Sequence, residues 1–243
     1  MNPEAYERMA SLEDRHWWFL ARRAIVAKII AGLKLPPQAR ILDAGCGTGG
    51  NLAMLRNFGE VEATEMDDGA RTIAAAKGVA AVSPGRLPDA LPFQGAEFDL
   101  ITLLDVLEHV ADDEAALESL SGLLRPGGHL VTTVPAFSFL WSEHDEVHRH
   151  YRRYRKRELE NKVRQAGMNV VYASYFNTFL FPLIATVRLG GRFLKRRKGG
   201  DLVMPGGGVN RLLYAIFSSE RALLGKMRLP FGVSLLLVAR KGS

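Results

Sequence analysis

The sequence predicts an α/β fold built on a parallel, doubly wound sheet with helices on both faces. Three observations predict it. A short apolar strand, Arg40 to Asp43, runs into a turn with almost no side chains, Ala44-Gly45-Cys46-Gly47-Thr48-Gly49-Gly50. Apolar strand-like runs then alternate with helical segments as far as Val134. An acidic residue, Glu65, closes the second strand about twenty positions after the first.

Composition bounds the rest. A chain of 243 residues, 47% hydrophobic and 24% charged, can bury a full core and reads as a single elaborated domain over 1–243. The lone cysteine, Cys46, forms no internal disulfide and lies inside the glycine turn, which suits a reducing compartment and gives no cysteine-based metal site. The charged opening, MNPEAYERMASLEDRHWW, lacks the apolar core of a signal peptide, so a cytoplasmic location is expected. A net charge of +6 bears on association rather than fold. The charge is concentrated in two clusters, Arg149 to Arg157 and Arg192 to Lys198.

Taken in order, residues from Pro3 to about Leu33 read as helix, ended by Pro36 and Pro37. Trp18 and Arg22 are four apart and share a helical face, so an aromatic wall and a guanidinium can face the crevice; Trp17, Trp18 and Phe19 can equally be packing residues. After the glycine turn, residues from Asn51 begin a crossover helix, and Val61 to Met66 form the second strand. In the turn, glycine permits backbone angles and close ligand approach that a Cβ forbids, which marks a nucleotide-cofactor cradle. Glu65 is placed to accept both hydroxyls of an adenosine ribose. A helix from Asp68 to Lys77 is closed by Gly78, followed by strands Val79 to Ser83 and Phe98 to Asp105. Asp112 caps a helix reaching Leu124, and Arg125-Pro126-Gly127-Gly128 turns the chain into a fifth strand, His129 to Val134.

DAGCGTGG, Glu65, LPF, FDLITLLDVLEH and LLRPGGHLV together resemble the successive motifs of class I S-adenosylmethionine-dependent methyltransferases. The resemblance covers residues 40–135 and implies a Rossmann-like sheet of seven strands, with Asn169 to Ser174 as the sixth and Gly232 to Ala239 as an antiparallel seventh. It further implies S-adenosyl-L-methionine as cofactor and S-adenosyl-L-homocysteine as product. Asp43, Ala44, Gly45, Cys46, Gly47 and Gly49 would hold the methionine part, Glu65 and Met66 the ribose side, and Asp105, Val106 and Leu107 the cleft near the sulfonium. Family members often place an acid before LPF for the adenine amine; here Arg86 and Leu87 stand there, and backbone groups of Leu87 are the expected replacement.

A sulfonium methyl is already a good electrophile, so geometry should carry most of the rate. A hydroxyl acceptor also needs a base, and histidine suits that task. His109 is the first candidate; His144, Asp145 and His148, in the segment after the fifth strand, are the others. No dedicated ligand spacing points to a metal. Methylation of oxygen on a small-molecule or lipid-linked acceptor is the favoured reading, by a monomer or homodimer. Two others stay open: an RNA-modifying enzyme, with Tyr151 and Tyr154 stacking on bases, and a cofactor-binding protein without turnover.

Residues 1–35 read as a helical lid and residues 40–174 with 232–240 as the core. Residues 175–231 form a helical insertion before the last strand. Within it, 176–198 is apolar with a basic end, too short for a membrane span but suited to lying on an anionic membrane surface. Gly199 to Gly208 is glycine-rich, and Asn210 is expected to cap a helix with an apolar stripe through Leu213, Ile216 and Phe217.

Overall fold

The computed structural model describes residues 3–93, 95–193 and 204–242. Helices α1 (Pro3–Leu12) and α2 (Trp17–Ala31) lead into β1 (Ala39–Ala44), α3 (Leu52–Leu55), β2 (Gly59–Glu65), α4 (Asp68–Ala76) and β3 (Ala81–Pro84). Next come β4 (Phe98–Leu104), α5 (Asp113–Leu123), β5 (Leu124–Pro135), α6 (Glu143–Val147), α7 (Lys156–Gln165) and β6 (Met168–Phe176). The chain continues through α8 (Phe181–Phe193) and α9 (Gly207–Ser219) to β7 (Ser234–Lys241). The seven strands form one sheet in the order β3-β2-β1-β4-β5-β7-β6, with β7 antiparallel to both neighbours. This is the class I methyltransferase arrangement that the motifs imply.

Alternation along each strand feeds two apolar layers. Ile41, Leu100 and Leu236 face α2 and α9 with Ile25, Val26, Ile30 and Phe217. Their neighbours Leu42, Ile101 and Leu237 face α5 and α7 with Leu117, Leu120, Leu159 and Val163. Burial on both faces explains why the central strands read as continuous apolar runs. Strand order reverses between β1 and β4, and the crevice beyond their carboxyl ends is where ligands bind in such sheets.

The structure departs from the sequence reading at the amino terminus. The single helix expected from Pro3 to Leu33 is broken between Leu12 and Trp17. The break satisfies polar groups: Glu13 turns inward to accept a hydrogen bond from Thr48 Oγ1 (2.8 Å) and to pair with Lys77. The new helix start is capped by His16 Nδ1, which accepts from the Trp18 amide. Asn210 Oδ1 accepts from the Trp17 amide (2.9 Å), so Asn210 caps α2 and not its own helix, where it lies in the first turn. The α2 and α9 segments, read as lids, instead supply one of the two core layers. The crossover helix after the glycine turn is a single turn, Leu52–Leu55. Lys195, Arg196, Arg197, Lys198 and the first part of the glycine-rich stretch, 199–203, lie outside the described residues.

One buried carboxylate fixes the segment before α7 onto α5. Asp113 Oδ1 pairs with Arg152 (2.7 Å) and Lys162 (3.0 Å), and its Oδ2 accepts from the Tyr154 hydroxyl (2.8 Å). Burial alone would raise the Asp113 pKa, but the hydrogen bonds from Arg152, Tyr154 and Lys162 outweigh it and lower the pKa. A folded-state pKa below the unfolded one stabilises the protein above the unfolded value, about 4, and that contribution is lost as pH falls through the folded pKa. Asp113→Asn should therefore cost roughly 3 kcal/mol in urea unfolding at pH 7. The difference from the parent chain should narrow steadily below about pH 4; an undiminished difference at pH 3 would remove the charge from this account.

Candidate active site

The glycine turn closes on itself through β2. Gly45 and Cys46 amides both donate to the Thr64 carbonyl (2.9 Å each), and the Glu65 carboxylate folds back over the turn, accepting from the Gly47 amide (2.8 Å) and the Asp67 amide (2.9 Å). Gly45 has φ +76°, and a Cβ there would lie 2.9 Å from both γ-methyls of Val106, so the turn and the segment after β4 meet too closely for any side chain. Asp43 is buried; its Oδ1 accepts from Thr102 Oγ1 (2.7 Å), while Oδ2 has no partner. Burial pushes its pKa up to about 6. Burial likewise raises the Cys46 thiol, which leaves it a protonated, unreactive group.

Arg22 reaches from α2 to pair with Asp105, just past the end of β4, and its guanidinium stacks 4.7 Å from the centre of the Trp18 ring. Asp105 has φ +57°, a left-handed conformation uncommon outside glycine, and its Oδ1 accepts from Thr133 Oγ1 (3.1 Å). The shared face of Trp18 and Arg22 thus looks into the crevice.

A cavity of about 1010 Å³ runs along the carboxyl edge of the sheet. Of the positions singled out from sequence, Trp18, Arg22, Gly45, Cys46, Gly47, Glu65, Met66, Leu87, Asp105, Val106, His109, His144 and His148 line it. Asp43, Ala44, Gly49, Leu107 and Asp145 do not. Ala44 and Leu107 are fully buried in the α5 layer, and a Cβ at Gly49 would meet Leu52 and Ala74. Leu87 and Asp89 sit within a tight loop whose base is closed by reciprocal Arg86 and Ala90 backbone hydrogen bonds (2.9 Å each), and both border the cavity.

One wall of the cavity is imidazole. His109 follows β4, whereas His144, His148 and His150 come from α6 and the loop after it. Ring centroids lie 4.6 Å apart for His109 and His150 and 4.2 Å apart for His144 and His148. Burial, then the neighbouring His150 and His148, lower the His109 pKa to about 3. Burial and His148 likewise lower that of His144, so both rings are neutral bases with available lone pairs.

Asp145 stands behind this wall. Its two oxygens receive Arg153 Nε and Nη2 (2.8 Å each), the Ser142 amide donates to Oδ2 (2.8 Å), and Oδ1 pairs with His150 Nδ1 (2.9 Å). Burial would raise its pKa, yet the His150 and Arg153 hydrogen bonds hold it well below the usual carboxylate range. Asp145 is thus fully buried, away from the cavity lining, and bonded to Arg153 and His150. His150, which it orients, was missed as a site residue; its signal was a fourth histidine two residues beyond His148.

Beside the wall lies Glu108, 1% exposed, with Oε2 unpartnered; burial and then Asp105 push its pKa well above the carboxylate range. Although the sequence carries no dedicated ligand spacing, Glu108, His109 and His150 each bring a ligand atom within 4.8 Å of the others. Beyond β6, Asn177 also borders the cavity, fully buried, with both amide atoms unpartnered. Leu180, Leu183, Ile184, Val187 and Leu213 give the cavity an apolar part of its lining.

Part of the basic run Arg149 to Arg157 is turned inward, while Arg149, Arg155 and Arg157 are exposed. Arg153 is buried against Asp145, Arg152 is paired with Asp113, and Tyr154 is 0% exposed, so it cannot stack on a base. Tyr151 alone of the two tyrosines is exposed.

Comparison with known proteins agrees with this geometry. The family described as Methyltransferase domain matches residues 16–173. A ubiquinone biosynthesis O-methyltransferase of Chelativorans sp. (strain BNC1) is 33% identical over 127 residues, 50% of this chain and 47% of that protein, so the chain spans about half the length of that relative. One from Sinorhizobium medicae (strain WSM419) is 31% identical over 195 residues, 72% of this chain and 75% of that protein. Among solved structures, the complex between the Haloferax volcanii Trm112 methyltransferase activator and its methyltransferase superposes with a TM-score of 0.64 at 19% identity, covering 99% of this chain and 95% of that one. At that identity the likeness speaks for the fold alone. With the family match extending over more than half its length and the strand order of that fold, this chain belongs to the methyltransferase-domain family, of the class I S-adenosylmethionine-dependent type.

Proposed function

We propose that this chain transfers the methyl group of S-adenosyl-L-methionine to an oxygen of a small acceptor with an apolar part, releasing S-adenosyl-L-homocysteine. The observation that carries the reading is a single cavity that joins the glycine turn to an imidazole wall and an apolar side. The cofactor suits the residues present. The Asp43 to Gly49 turn would hold the methionine part, the side-chain-free backbone at Gly45, which borders the cavity, allowing close approach. Glu65 keeps lone pairs for the ribose hydroxyls beyond the two amides it already accepts, with Met66 and Leu87 flanking the adenine. Trp18, Arg22, Asp105 and Val106 would enclose the sulfonium.

An acceptor hydroxyl lying along the wall would donate a hydrogen bond to the neutral ring of His109 or His144, or to His148, with Asp145 fixing the wall from behind. The cofactor would supply an electrophilic methyl, which that oxygen would take as the carbon–sulfur bond breaks and its proton passes to the imidazole, with alignment carrying most of the rate. Oxygen as the methylated atom is supported by the relatives named O-methyltransferases.

A lipid-linked acceptor at an anionic membrane surface is favoured by one specific feature. Leu183 and Val187 line the cavity and are yet 58% and 64% exposed, and Phe179 and Leu212 are exposed too, so the apolar side of the cavity continues onto the outside of α8 and α9. The basic run from Arg192 to Lys198 follows in sequence. No helix among the described residues is long and apolar enough to cross a membrane.

Calorimetric titration with S-adenosyl-L-homocysteine should give micromolar binding that weakens about tenfold or more in Glu65→Ala and in Gly47→Val. Unchanged affinity in both would sink the cofactor assignment, and binding with no turnover of any acceptor would favour a binding protein. In flotation with vesicles of anionic lipid, the parent chain should rise with the vesicles and Leu183→Asp/Val187→Asp should stay behind; a parent chain that never floats would remove the membrane reading.

A further inference from the structure

We propose that Glu108, His109 and His150 form a binding site for a single divalent transition-metal ion of the zinc class, with one coordination position open to the cavity. Two separate parts of the chain supply it: the turn after β4 gives Glu108 and His109, and the loop after α6 gives His150. Their ligand atoms lie within 4.8 Å of one another. Tetrahedral coordination with bonds of about 2.0–2.1 Å separates ligand atoms by about 3.3 Å. Side-chain rotations that draw any pair together by at most about 1.5 Å therefore complete the site.

The groups behind the ligands carry the inference further. A metal-bound histidine ordinarily donates its second ring N–H to a carboxylate or a backbone carbonyl, which fixes the tautomer and aims the other nitrogen at the ion. Both histidines have such a partner. His150 Nδ1 lies 2.9 Å from Asp145 Oδ1, and that carboxylate is itself immobilised by Arg153. The His109 ring is hydrogen-bonded to the backbone of His148. Each imidazole thus keeps one nitrogen for a ligand, as the neutral form requires.

Glu108 supplies the independent sign. It is 1% exposed, its Oε2 has no hydrogen-bond partner, and no counter-ion pairs with it among the described residues. A buried carboxylate atom left unpaired costs free energy that a cation beside it would recover. Two imidazoles and one carboxylate match the three-ligand set of zinc sites that retain an open position. Because Glu108, His109 and His150 all border the cavity, that open position would face an acceptor oxygen.

The test uses the full chain, freed of any histidine tag and stripped with chelator, titrated with Zn²⁺ by calorimetry and with Co²⁺ by visible absorption. One equivalent should bind at micromolar or tighter Kd, with the intense visible bands of low-coordinate Co²⁺. His109→Gln and His150→Gln should each weaken binding at least 100-fold and abolish those bands. His129→Gln, on β5 and away from this cavity, should change neither. S-Adenosyl-L-homocysteine affinity measured on every variant reports that the fold and cofactor pocket survive, so a failure here stays separate from a failure of the methyl-transfer reading. Absence of stoichiometric binding, or binding that persists unchanged in both histidine variants, would overturn the site.

Discussion

The reversal of strand order between β1 and β4 is the constraint on which the rest of this molecule depends. Helices leaving those two strands go to opposite sides of the sheet, which opens a crevice that must be lined by groups able to live half-dry. The chain meets that demand with short-range backbone closure on one side, where the Thr64 carbonyl takes two amides of the glycine turn. On the other side it uses charge: Arg22 from α2 neutralises Asp105, and Trp18 covers the guanidinium. The amino-terminal helices are thereby committed to the same crevice as the sheet, and Glu13 binds the glycine turn from above through Thr48.

Much of this was legible in the residues because it is local. A strand, a turn and a helix start are written within ten positions, so the order of the elements from Arg40 to Val134 emerges, although β5 already begins at Leu124 and takes in the turn expected at Arg125 to Gly128. The unbroken helix expected at the amino terminus failed for a non-local reason. Periodicity continues through Glu13 to His16, but a partner for Glu13 waits at Thr48 and Lys77 and a cap for Trp17 waits at Asn210, nearly two hundred residues away. Tertiary hydrogen bonds overrode a favourable local pattern, and the same Asn210 contact reassigns the cap that its own sequence position suggested.

The imidazole wall shows the same limit from the other side. His109 and the segment with His144 and His148 were visible in the sequence only as separate stretches. What buries that segment is the fork of Arg153 on Asp145 together with Arg152, Tyr154 and Lys162 on Asp113, contacts that bring β4, α5 and the segment after β5 together. Two arginines of the basic run, Arg152 and Arg153, spend their charge holding that segment in place. Charge counted along a sequence says little about the charge left for a partner.

Asn177 gives the cavity a further property. Its backbone is left-handed, at φ +57°, and the turn is held by the buried Glu220 carboxylate accepting from the Phe179 amide (2.8 Å), so the side chain has little freedom to seek a partner elsewhere. An amide kept unpaired in this way costs about 1–3 kcal/mol per unmet atom. The cavity accordingly ranks its guests by what they lack as well as by what they offer. A purely hydrocarbon guest would satisfy the apolar side formed by α8 and leave that amide as it was, whereas one carrying a donor and an acceptor side by side would gain at both ends. Selectivity of this kind is set by an unmet need of the protein and would be invisible in any count of favourable contacts.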